Sequence, residues 1–341
     1  MEDILKKSLE LLFLAIGVSI IFAPIMISLL YRFNQVSGIK KTKIGDEDNS
    51  LFMKIMKTTT TNGTPNMGGL IILIVVPLVM LFTIGITEVV KVFLIGFILF
   101  GLWGLIDVVI FTNGFKNNSR MRAFQETFGW RLGKLLFSIL LNIGVMLLLQ
   151  KTGYLKEITP WSGFLINFTP AIAAISGVVG QFAIYSAELT DGADGLMIGI
   201  FMIINVFMII LLLVKQQYEF IPILTIILGV QIVDLYFNIP PARFWNGGPG
   251  AMPLGFTMFY VGLITNNIIP YFIMSSITWV IMASSLIQIV SLRFFKKRVF
   301  KIAPIHHHFQ AGGWPQYKVV MRFWLFSLVA SIIGLYIGII L

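Results

Sequence analysis

The chain has 341 residues, of which 57% are hydrophobic and only 12% charged, and its formal net charge is +10. Its mean hydropathy is +0.91; soluble domains carry roughly 25% charged residues, so this composition excludes an ordinary soluble domain and points to a polytopic membrane protein. Cysteine is absent, which excludes disulfides and thiolate metal sites and leaves the redox compartment unread.

Ten apolar stretches approach the ~20 residues that span a bilayer. They fall at about 11–31, 67–86, 91–111, 131–149, 163–184, 195–214, 220–237, 252–268, 270–291 and 320–340. All are predicted as α-helices, because unpaired backbone is prohibitive in hydrocarbon and no alternating barrel pattern is present. The first run lacks a small-residue cleavage site and reads as a retained span. The expected fold is therefore all-α, a single transmembrane domain over 1–341 with both termini on one side. Basic residues choose that side. One set of loops holds eighteen, among them Arg32, Lys40, Lys41, Lys116, Arg120, Arg131, Lys134, Arg243, Lys297 and Lys318, against six on the other. The richer set is expected to be cytoplasmic, with both termini outside. The positive charge is thus a topology signal and an attraction for anionic headgroups or a polyphosphate, and nucleic acid is not an expected partner. No internal repeat is convincing, which weighs against a transporter.

The cytoplasmic loops are long and rich in Gly, Pro, Asp, His and Asn, the residue types that carry function on a helical scaffold. In chain order, "TNGTPNMGGLIIL", Thr61 to Leu73 with Asn66 inside it, enters the second span through a turn; alone it is a weak signal. Next, "GLIDVVIF" places Asp107 in an apolar run at the end of the third span, where a carboxylate is functional by default. Three carboxylates, Glu188, Asp191 and Asp194, fall within "ELTDGADGLMIG". They either cap a connector or hold a hard cation or polar ligand. In "FNIPPARFWNGGPGAMPLG", Pro240 and Pro241 stop a helix and the glycines let backbone approach a ligand. Two fates fit Trp245 equally: stacking on a planar base or anchoring at the headgroups. Finally, His306, His307 and His308 lie in "FKIAPIHHHFQAGGWPQYKVVMRFW" near Lys301 and Arg322, as donors for phosphate oxygens. Adjacent histidines rarely share one ion, so a three-histidine zinc site is not expected.

Together "GTPNMGG", "LTDGADGL" and "APIHHHFQAGGWPQYKVVMRFW" resemble the phospho-N-acetylmuramoyl-pentapeptide-transferase family. That family lies in the polyprenyl-phosphate N-acetylhexosamine-1-phosphate transferase superfamily, and the likeness runs in order along essentially the whole chain. It implies transfer of phospho-N-acetylmuramoyl-pentapeptide from a UDP-sugar to undecaprenyl phosphate, giving lipid I and UMP for peptidoglycan. It also implies Mg²⁺, a homodimer, and an active site facing the cytoplasm of the bacterial inner membrane. By this resemblance Asp107, Asp191, Asp194, His306, His307 and His308 are catalytic. Gly192, Ala193, Asn238, Trp245, Gln288 and Asn66 bind substrate, with Asp191 through Asp194, Asn238 and Trp245 at the uridine end.

The chain also departs from the family pattern. Asp107 matches the first of two adjacent aspartates, and Val108 replaces the second. The family's Met-Gly-Asp reads Asn246-Gly247-Gly248, a family lysine is Thr61, and an Arg-Ala-Arg-Gln-Lys element becomes Arg122-Ala123-Phe124-Gln125-Glu126. Two acids are new: Glu188 stands where the family has Asn, and Asp234 lies inside the seventh span, one turn before Asn238. Either Glu188 and Asp234 join Asp107 in a rearranged Mg²⁺ site, or Asp234 is protonated or paired with a nearby donor. Three other readings stand beside the transferase: a degenerate relative that binds UDP-sugar or lipid phosphate without turnover, another UDP-amino-sugar-1-phosphate transferase, and a transporter.

Overall fold

Local chemistry sets where the helices begin. Thr87 accepts a hydrogen bond from Val90 N at 3.3 Å, and Thr169 accepts one from Ile172 N at 3.4 Å ahead of Pro170. Each satisfies a backbone donor that the first helical turn leaves open. The computed structural model describes residues 2–32, 64–110, 128–161 and 163–341. Thr61, the Arg122–Glu126 stretch and the loop bases Lys40, Lys41, Lys116 and Arg120 lie outside the described residues.

In chain order the helices are α1 (Glu2–Arg32), α2 (Leu70–Thr83), α3 (Glu88–Val109) and α4 (Phe128–Lys151). Then come α5 (Pro170–Thr190), α6 (Leu196–Val214), α7 (Ile221–Asn238) and α8 (Gly248–Ile264). The last are α9 (Ile268–Met274), α10 (Ser276–Val290), α11 (Ile305–Ala311) and α12 (Gln316–Ile340). Among the described residues eight helical stretches are long and apolar enough to cross a membrane, and α2 and α8 are shorter apolar helices at two further expected spans. The protein is an all-α polytopic membrane protein.

Helix α1 starts at Glu2, nine residues before the expected span, α8 lies four residues before its expected limits, and two further stretches differ in kind. The stretch predicted as the start of the fifth span pairs instead in an antiparallel hairpin, β1 (Glu157–Trp161) with β2 (Phe164–Asn167). Alternating side chains and a Gly163 turn at φ +82° favour that pairing, and Trp161 stacks on Phe164 at 4.7 Å between ring centroids. The helix therefore starts at Pro170. The expected ninth span is divided into α9 and α10 at Ser275, whose hydroxyl donates to Tyr271 O at 2.7 Å.

Helix α8 is the axis of the bundle. Every one of its residues is buried, and it packs against α3, α5 and α2. Outer helices show the reverse pattern: Phe13, Ile21, Leu325 and Phe326 on α1 and α12 are exposed, as a lipid-facing surface requires. The glycine-rich loop before α8 places the start of this central helix beside the ends of α3, α5 and α7, and the candidate site lies there.

Candidate active site

The turn between α5 and α6 is bound to the loop before α8 by its carboxylates. Gly247 N donates to Asp191 Oδ2 at 2.6 Å. The Trp245 indole donates to Asp194 Oδ1 at 3.0 Å, and Ala242 N donates to Asp194 Oδ2 at 3.3 Å. Asn238, at the end of α7, accepts from Gly195 N at 2.9 Å and donates to Phe244 O at 2.8 Å. A third segment joins them: Trp245 N donates to Pro65 O, and Gly68 N donates to Trp245 O. Asn66 thus sits beside Trp245, and Gly192 and Ala193 form the turn between the two aspartates. Burial raises the Asp191 carboxyl to about 6, the Gly247 N–H opposing the rise and the Asp194 charge adding to it. Burial likewise raises Asp194, against its bonds from Trp245, Ala242 and Gln316.

The histidines divide by role. His306 and His307 are buried with rings 4.3 Å apart, and both face the Asp191–Asp194 turn. A β-carbon on Gly192 would stand 2.4 Å from His306 Nε2 and 3.2 Å from His307 Nε2, so only glycine allows this approach. Neither ring nitrogen of His306 has a hydrogen-bond partner. Burial, aided by His307, holds its pKa well below the usual imidazole range. His307 is also lowered by burial, although its Nδ1 donates to Gln310 Oε1 at 2.7 Å. His308 instead accepts Lys301 N at 3.0 Å and fastens its own loop. Gln288 does similar work, accepting Val299 N and Phe300 N.

Asp107 lies at the end of α3, and its partner comes from α4: Lys134 Nζ stands 2.6 Å from Asp107 Oδ1. Glu188, near the end of α5, is within electrostatic reach of Asp107, Lys134 and Asp191. Neither position expected to carry an acid supplies an oxygen, and only the one at Gly248 is closed to a side chain. Val108 lies against Gly247, 3.4 Å from where a β-carbon there would be. Gly248 meets Gly104 so closely that a β-carbon on it would stand 2.7 Å from Gly104 Cα. Asp234 is fully buried and accepts Asn246 Nδ2 at 2.9 Å. Its Oδ2 and Asn246 Oδ1 are both buried without a partner.

A divalent ion needs several oxygens converging near 2 Å. Among the described residues no three His, Asp or Glu side chains are grouped to hold one. Glu188 is within electrostatic reach of Asp107, but Asp234 is engaged with Asn246. The described carboxylates therefore do not fit the expected ion. Sequence reasoning missed Lys134 as a site residue, counting it only toward topology. It also missed Gln316, which bonds Asp194, and Trp324, whose indole donates to Gly195 O at 3.2 Å. A basic residue one turn into a span was the available signal for Lys134.

A family profile described as "Glycosyl transferase family 4" matches residues 90–266, just over half of the chain. Similar proteins include a phospho-N-acetylmuramoyl-pentapeptide-transferase of Heliobacterium modesticaldum, 30% identical over 80% of this chain and 83% of that protein. One of Acetivibrio thermocellus is 29% identical over 95% of this chain and 93% of its own length. One of Staphylococcus haemolyticus is 29% identical over 96% and 98%.

Proposed function

Because the chain belongs to the phospho-N-acetylmuramoyl-pentapeptide-transferase family, within glycosyl transferase family 4, we propose that it makes lipid I. In this reaction phospho-N-acetylmuramoyl-pentapeptide passes from its UDP carrier to undecaprenyl phosphate. A lipid-phosphate oxygen forms the new bond to the sugar-bearing phosphorus. The bond from that phosphorus to the bridging oxygen breaks, and its electron pair leaves with UMP.

The observation that carries this reading is the convergence of three segments on one polar site at the helix ends. The Asp191–Asp194 turn, the Trp245–Gly247 loop and the His306–His307 pair meet there. Asp191, Asp194, Asn238 and Trp245 form the uridine end, with Gly192, Ala193 and Asn66 lining it. His306 and His307 stand ready as neutral donors toward phosphate or sugar. Asp107, with Glu188 beside it, receives the lipid phosphate and any proton it sheds. Gln288 and His308 shape the loop that carries the histidine pair.

The basic bias of these loops supports a site facing the cytoplasm of the bacterial inner membrane, and family resemblance supports a homodimer. Members of the family are generally divalent-metal dependent, with Mg²⁺ the expected ion, but the described carboxylates do not fit one and no step is assigned to it.

The test is UMP release by the full chain in lipid nanodiscs, given UDP-N-acetylmuramoyl-pentapeptide and undecaprenyl phosphate. Stoichiometric UMP and lipid I are expected. Nucleotide binding without UMP release overturns turnover and leaves a binding protein, the reading favoured by Val108 and Gly248 in place of acids.

A further inference from the structure

The Asp107 carboxylate has a resident partner. Lys134 Nζ lies 2.6 Å from Asp107 Oδ1, with the two side chains 23% and 16% exposed. This pair joins the ends of α3 and α4 and is partly exposed. Glu188 from α5 completes the surroundings, within electrostatic reach of both groups and of Asp191. The ammonium is paired with Asp107 and feels the Glu188 charge as well.

The same geometry disfavours a divalent ion at Asp107. An ion bound to this carboxylate would stand close to a fixed positive charge, where like charges repel strongly in a partly desolvated site. The positions that would have supplied more oxygens also lack them. Val108 is apolar, and Gly248 is pressed onto the Gly104 backbone with no space for a side chain.

We propose that Lys134 is the built-in cation of the transfer site, taking the place of a divalent ion at Asp107 and binding phosphate oxygens of the incoming pyrophosphate. An ammonium carries three donors, so it can hold Asp107 and meet a phosphate oxygen together. Asp107 then has two tasks, orienting the ammonium and facing the lipid phosphate. Glu188 balances the charge when no substrate is bound. This inference rests on the reading that a UDP-linked substrate binds here with its uridine at Asp194 and Trp245.

The test uses the full chain in nanodiscs with EDTA present and measures the affinities of UDP and uridine by calorimetry. A parallel titration with Mn²⁺ is read by electron paramagnetic resonance. Wild type is expected to bind UDP more tightly than uridine in EDTA, and Lys134→Gln to lower UDP affinity about tenfold or more while leaving uridine affinity unchanged. Lys134→Arg is expected to restore most of the loss. The Asp107→Asn, Lys134→Gln double variant removes both charges of the pair, so folding problems from an unpaired carboxylate do not confuse the result. It too is expected to lose the preference for UDP. Equal UDP affinity in wild type and Lys134→Gln would overturn the proposal. So would tight Mn²⁺ binding by wild type that Asp107→Asn abolishes. If neither UDP nor uridine binds, the site reading itself fails and takes this inference with it. Uridine binding with no gain for UDP defeats only the lysine's role.

Discussion

The two ends of the candidate site differ in how they are built. At the end proposed to hold uridine both oxygens of Asp194 accept donors, Asp191 accepts a backbone N–H, and Asn238 uses both ends of its amide. At the end proposed to hold phosphate the side chains expected to be acids are Val108 and Gly248, and the remaining aspartate is paired with a lysine. The first is a network of buried polar groups that rigidifies because nearly every member is satisfied. The second has exchanged carboxylates for close packing and one ammonium. One end of a site can thus keep its residues while the other changes its charge arrangement, since recognition and charge stabilisation rest on different side chains.

The largest expected effect tests whether the ends act separately. Asp107→Asn should lower UMP release by about 10²–10³-fold, the scale of removing one charge-stabilising group. Calorimetry should show its uridine affinity unchanged; an equal loss in both would join the two ends into one. Next in size, Trp245→Phe keeps the ring but removes the indole donor to Asp194. Uridine and UDP affinity are expected to fall about tenfold alike, the scale of a hydrogen bond to a charged group. A selective loss for UDP would place Trp245 at the phosphate end.

Gly248→Asp asks whether the missing acid can be restored. With Gly104 Cα 2.7 Å from the new β-carbon, overpacking should cost about 1–3 kcal/mol. The expected readout is a lower melting temperature with no gain in UMP release. A gain in metal-dependent turnover would show that the Gly104 contact yields.

The smallest effect is a pH slope. Asp191 is raised from 3.8 to about 6 in the folded protein. Its stabilising contribution is therefore complete below pH 4 and lost as pH rises toward about 6. His306 and His307, held neutral by burial, act with the opposite sign near that range, so the difference between variants is the informative quantity. Relative to Asp191→Asn, wild type is expected to lose melting temperature between about pH 4 and pH 6. A flat difference would mean that Asp191 titrates as an ordinary aspartate.

Much of the scaffold was legible because membrane helices announce themselves locally. Hydropathy placed α3, α6, α7 and α12 near their observed limits, and the end but not the start of α1. It failed at 163–167, where a short apolar run pairs as a strand and composition does not separate strand from helix. The cluster proposed to hold uridine was legible as a group: Asp191, Asp194, Asn238 and Trp245 were all singled out, and the fold brings them together. Gln288 and His308 were expected at the substrate, and the structure adds that both accept backbone N–H groups of the 299–301 segment. A polar residue in a functional segment does not reveal which way it points.

By itself the sequence determined an all-α membrane protein and proposed where its chemistry lies, because hydropathy, charge bias and turn residues act over neighbouring positions. Only the tertiary structure decided that Lys134 meets Asp107 across 27 residues, that Gly104 closes the space at Gly248, and that Asp234 turns to Asn246 instead of Asp107. Those outcomes depend on the depth and rotation of α3, α4, α7 and α8 against one another. Packing sets these to within an ångström, and no local pattern encodes them.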